Sequence, residues 1–105
     1  MHRTYAVTWQ EPLRAPLSGK LELRATGLSL EGSNSTSGSA ALLIPYEEFA
    51  GMRLAPWGDR LDGRPTLALD RLGRGTLRVA SIVAPGVISE IAEGLDARTR
   101  QHRRD

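Results

Sequence analysis

The sequence predicts a mainly β domain: an antiparallel sheet of about seven strands, bent into a barrel or two near-orthogonal sheets and capped by one C-terminal α-helix. Three observations predict it. Residues 17–32 alternate apolar and polar side chains on both sides of Thr26-Gly27, with Leu21, Leu23 and Ala25 against Lys20, Glu22 and Arg24, then Leu28 and Leu30 against Ser29 and Glu31. A period of two marks strands with one buried face. The pattern recurs in residues 66–80 around a glycine-rich turn. After Pro85 the period changes, and Ile88, Ile91, Ala92 and Leu95 fall on one helical stripe.

Taken in order, residues 4–10 form a first strand, rich in β-branched and aromatic residues, with Tyr5, Val7 and Trp9 on one face. Glu11-Pro12 ends it, because proline cannot donate to a ladder. Residues 13–16 connect to the 17–32 hairpin. A two-residue Thr26-Gly27 loop with Gly27 at positive φ would set Ala25 opposite Leu28 and Leu23 opposite Leu30, with both apolar sets on one face. Residues 32–39, GSNSTSGS, read as a mobile polar loop. Asn34-Ser35-Thr36 matches a glycosylation pattern but reads as part of that connector.

Residues 40–45, AALLIP, form a short buried strand, and 52–57 alternate again. Residues 58–64, GDRLDGR, are a polar turn. Asp59, Asp62 and Gly63 there supply too short a series of ligands for a calcium loop. In the second hairpin, a loop Arg71-Leu72-Gly73 with Gly73 left-handed would set Asp70 opposite Arg74 and Leu67 opposite Leu77. In the helix, Glu90, Glu93 and Asp96 precede Arg98, Arg100, Arg103 and Arg104, an order that complements the helix dipole. Gly94 lies near the apolar stripe, where a small residue lets another element approach. The ordered core is expected over residues 4–98, with 99–105 a frayed basic tail.

A chain of 105 residues is one domain, residues 1–105. It has no cysteine, which removes disulfides, thiolate catalysis and cysteine metal sites. No stretch approaches the roughly 18 apolar residues of a membrane span, and the N-terminus lacks an apolar signal region, so a cytoplasmic chain is expected. Thirteen arginines against one lysine read as the coding bias of a GC-rich bacterium. Residues 1–64 carry seven basic and seven acidic side chains, and the net charge of +2 arises entirely in the rest. With 5% aromatic residues and no basic stripe before the tail, nucleic-acid binding is not expected.

Catalytic groups are not indicated. His2 and His102 stand at the extreme ends, and Glu47-Glu48 are adjacent residues that point apart. The glycine-rich 71–75, RLGRG, lies between strands and so lacks the helix N-terminus of a phosphate site. No catalytic, cofactor or metal residues are assigned.

The runs GKLELRATGLSLEG, LLIPYEEFAGMRL and TLALDRLGRGTLRV, followed by a PGVISEIAEGL helix, resemble the pleckstrin-homology-like superfold, most closely its small bacterial members. The likeness spans about residues 4–98 and includes the IPYEEF junction packed by Tyr46 and Phe49. Two features depart from it: Trp9 and Trp57 lie outside the helix, and Glu22 interrupts the basic signature of phosphoinositide-binding members. The resemblance implies a non-enzymatic binding or scaffold domain whose partner is another protein or a second copy, such barrels often leaving a strand edge open beside the helix. One alternative is peripheral binding to anionic lipid through Arg14, Lys20, Arg24, Arg98, Arg100, Arg103 and Arg104. The other is an enzyme with a small-molecule pocket in the barrel mouth, framed by the loops 32–39 and 58–64.

Overall fold

In a computed structural model of the chain, residues 3–36, 38–55, 61, 64–84 and 86–104 are described. They form strands β1 (Arg3–Gln10), β2 (Leu17–Leu23), β3 (Gly27–Asn34), β4 (Gly38–Pro45), β5 (Phe49–Ala55), β6 (Thr66–Arg71) and β7 (Gly75–Ser81), and helix α1 (Val87–Arg104). A single 3-10 turn, Tyr46–Glu48, joins β4 to β5. The strands make one continuous antiparallel sheet in the order β4-β3-β2-β1-β7-β6-β5. The sheet curls into a half-barrel, and α1 caps it by packing on the 3-10 turn and on β5, β6 and β7. Among the described residues no helix is long and apolar enough to cross a membrane.

The inward faces of the hairpins and the helix are those the alternation predicts, except that Ala25 stands exposed in a turn. Val7, Trp9, Leu21, Leu23, Leu28, Leu30, Leu67, Leu69, Leu77 and Val79 are buried together with Ile88, Ile91 and Leu95 of the helix. The curl has a local cause. Gly19 and Gly32 are partners across β2 and β3. A Cβ at Gly19 would lie 2.1 Å from the Glu31 carbonyl oxygen, and one at Gly32 would lie 2.7 Å from Trp9 Nε1. The indole occupies the space that the missing side chain of Gly32 leaves, and donates from Nε1 to the Glu31 carbonyl at 3.0 Å. Trp9 is thereby buried with its one donor satisfied.

Both hairpin registers differ from expectation by two residues. In the first, Leu23 lies opposite Leu28 and Leu21 opposite Leu30, and Arg24 N–H bonds the Gly27 carbonyl at 3.0 Å around an Ala25-Thr26 turn. Gly27 is not left-handed. It is needed because a Cβ there would stand 2.7 Å from the Ile44 carbonyl oxygen. Tyr46 holds this turn, its hydroxyl donating to the Arg24 carbonyl. Burial pushes that hydroxyl above the usual tyrosine value, against the pull of the Arg98 charge.

In the second hairpin Arg71 lies opposite Gly75, Leu69 opposite Leu77 and Leu67 opposite Val79, with the loop at Leu72-Gly73-Arg74. Gly73 is left-handed as expected, at φ 74°, and Gly75 is as well, at 77°. Asp70 therefore meets Thr76 rather than Arg74. Bonds from Thr76 and Arg53 hold its carboxyl below the ordinary range.

Two further expectations are corrected. The 32–39 loop is largely strand: β3 runs through Asn34 and β4 resumes at Gly38. Asn34 closes the turn, its Oδ1 accepting from Thr36 N–H and its Nδ2 donating to the Pro16 carbonyl, and Gly38 takes φ 78°. Residues 40–45, expected as a buried strand, belong to the edge strand β4, in which Ile44 alone is buried and Leu43 is exposed, because no strand covers that edge among the described residues. At the other end of the chain, the helix runs through Arg104. Thr99 is buried, and Asp96 pairs with Arg100 one turn on at 2.9 Å, both of which prolong the helix. Gly94 behaves as expected, since a Cβ there would meet Leu23 Cδ1 at 2.8 Å.

Candidate functional site

A recess with an apolar floor lies between β5 and α1. β5 ends the sheet, so its outer edge has no neighbouring strand among the described residues. Its register with β6 slips at Ala50, between Phe49 and Gly51. A bulge leaves one residue unpaired and bends the strand. Below the bend, a cavity of about 170 Å³ is lined by Phe49, Met52, Leu69 and Leu95, with Asp96 and Thr99 on the helix side. Phe49, Leu69 and Leu95 are buried, while Met52 is half-buried, so the floor is apolar and solid. Thr99 turns its hydroxyl to the Asp96 carbonyl at 3.0 Å, which leaves its methyl group for the groove. Asp96, paired with Arg100, supplies a polar rim. Leu54, further along β5, is 50% exposed although its partner Leu67 is fully buried. Such a site can take one apolar side chain and offer main-chain hydrogen bonds beside it.

The basic residues singled out from the sequence are dispersed. Arg14 lies in the β1–β2 loop and Arg24 just beyond the other end of β2. Lys20 sits on the outer face of β2, 3.8 Å from Glu31, and Arg24 Nε donates to Glu22 at 2.7 Å. Arg98 Nη1 donates to the Gly94 carbonyl at 3.1 Å, and Arg100 pairs with Asp96. Arg103 and Arg104 belong to the last turn of α1, and their side chains lie outside the described residues. Of the two loops expected to frame a mouth, 32–39 is the tight hairpin described above. Most of 58–64, together with Trp57, lies outside the described residues. The Asp59 and Asp62 reading falls there as well. Among the described residues no group of three or more His, Asp and Glu side chains is placed to hold a metal ion.

A second feature had no sequence signal. Arg71 is buried, its side chain 2% exposed, at the end of β6. Nε and Nη2 donate to the carbonyls of Gly75 and Arg74 at 3.2 and 3.0 Å, and Nη1 reaches Glu11 at 3.2 Å. This clamp ties the β6–β7 turn to the β1–β2 loop, and Pro12 packs close to Gly75. Each of the two loops presents a bare leucine. Leu72 is 61% exposed, while Leu13 is fully exposed and held at φ 62°, where leucine is rarely found. Arg14 and Arg74, both exposed, adjoin them.

No family model and no curated protein matches the chain. Among solved structures, it is similar to the C-terminal domain of an unknown protein from Leishmania infantum, with a TM-score of 0.65 and 14% identity over 89% of this chain and 81% of that one. At that identity the likeness concerns the fold alone.

Proposed function

We propose that this domain is a non-enzymatic protein-interaction module of the pleckstrin-homology-like kind, which takes an extended segment of a partner along β5 and seats an apolar side chain beneath α1. The groove between Phe49, Met52, Leu69 and Leu95 supports this reading, because it adjoins a strand edge that pairs with no further strand among the described residues. The edge supplies main-chain hydrogen bonds beyond the bulge, and the recess selects the peptide. Selection of a random peptide library on the immobilised protein tests it. Recovered peptides should share one apolar residue and bind the wild type at least tenfold more tightly than Asp96→Trp, since filling the recess removes the burial of one side chain, about 1.5–3 kcal/mol. Peptides that bind the variant equally, at an unchanged thermal midpoint, would remove the groove from the argument.

A second reading, attachment to anionic lipid, is favoured by one observation: the bare Leu13 beside Arg14, on a loop clamped to the one that carries Leu72 and Arg74. Apolar tips flanked by cations suit a lipid interface, where the side chain enters the acyl region and the cation stays with the headgroups. Sedimentation with phosphatidylserine vesicles should then be weakened by salt and lost in Leu13→Ser. Equal sedimentation of variant and wild type would count against it.

A further inference from the structure

The two edges of the sheet are built differently. β5 carries the bulge at Ala50 and the charged Arg53, and both discourage indiscriminate strand pairing. β4 has neither. Its eight residues, GSAALLIP, contain no charge, and it pairs with β3 in unbroken register along its whole length. Proline, the other common guard of an edge, appears only at the last position. On the outward side Ser39 and Ala41 are exposed and Leu43 is 62% exposed. Natural sheets seldom leave so regular and apolar an edge without a partner.

We propose that β4 is the seam of a closed two-fold dimer, in which two copies of this chain join their half-barrels into one continuous sheet. This is independent of the groove beside β5. The strand itself identifies a second copy as the occupant. In an antiparallel pair, directly opposite residues share a face. With the axis at Leu42, that residue meets its own copy, Ala41 meets Leu43, and Ala40 meets Ile44. Ala41 then faces Leu43 on the outer surface and Ala40 faces Ile44 on the inner one, where Leu42 packs on its own copy at the axis. A two-fold axis would also bring any charge near the middle of the strand close to its duplicate, and β4 has none to repel. Glu31, opposite Ala41 on β3, already pairs with Lys20 of β2. Among the described residues each copy has one such edge, so the association closes at two and does not grow into a filament.

Light scattering of the intact protein across a dilution series tests the proposal. The wild type should run as a dimer that dissociates on dilution, and Leu43→Lys should be monomeric with the thermal midpoint of the diluted, dissociated wild type, since that side chain is exposed in the monomer. Because the chain has no cysteine, Leu42→Cys adds a test of register. Opposite Cβ atoms stand about 4.5–5.5 Å apart, within reach of a disulfide, so mild oxidation should cross-link Leu42→Cys into dimers and leave Leu43→Cys uncross-linked. A wild type that stays monomeric at every concentration, a dimer that Leu43→Lys leaves intact, or open growth beyond two copies would each overturn it.

Discussion

Ile91→Asp will leave the chain without a cooperative thermal transition. Ile91 is fully buried at the centre of the helical stripe, between Ile88 and Leu95, which are buried too. Each of these side chains contributes about 1.5–3 kcal/mol by leaving water. The substitution forfeits one of these contributions and places an unpaired carboxylate in the seam, where the effective penalty is several kcal/mol more. A small domain has only about 5–15 kcal/mol in total. Circular dichroism through a temperature ramp is the measurement, with Ile91→Val as the control expected to cost about 0.5–1.5 kcal/mol. A variant that melts within a few degrees of wild type would mean that α1 does not pack on the half-barrel as described.

Arg71→Ala should cost about 3–5 kcal/mol, the usual range for breaking one side of a buried ion pair. The guanidinium fork serves three acceptors at once: the carbonyls of Gly75 and Arg74 and the carboxylate of Glu11. Its loss frees both the β6–β7 turn and the end of β1. At about 4–8 °C per kcal/mol for a domain near this size, the thermal midpoint should fall by more than ten degrees. Arg71→Lys should recover less than half of that loss. It restores the charge, but an ammonium on a flexible stem cannot reproduce the planar fork. Full rescue by lysine would show that charge alone, without the geometry, holds the two loops.

The sequence by itself determined which side chains of the two hairpins and the helix face inward, Ala25 excepted. Alternation at Leu21, Leu23, Leu28 and Leu30, at Leu67, Leu69, Leu77 and Val79, and the stripe Ile88, Ile91 and Leu95 all describe the observed core. They do so even though both hairpins are shifted by two residues, because a shift of two preserves the parity of a strand. That same fact explains why the alternation could not set the register. Contacts from distant parts of the chain decided it: the Ile44 carbonyl beside Gly27, the Tyr46 hydroxyl on the Arg24 carbonyl, and Glu11 sixty residues from Arg71. The groove was hidden for a related reason. Phe49, Met52, Leu69 and Leu95 read simply as core, and only the slip of pairing at Ala50 opens a recess among them. A bulge depends on which strand lies alongside, and no periodicity within β5 announces it. The seat of Trp9 against Gly32 likewise exists only once β1, β2 and β3 lie side by side. Local patterns settle the face of each residue because the pleat is local, whereas tertiary structure settles register, grooves and clamps because those are relations between segments far apart in the chain.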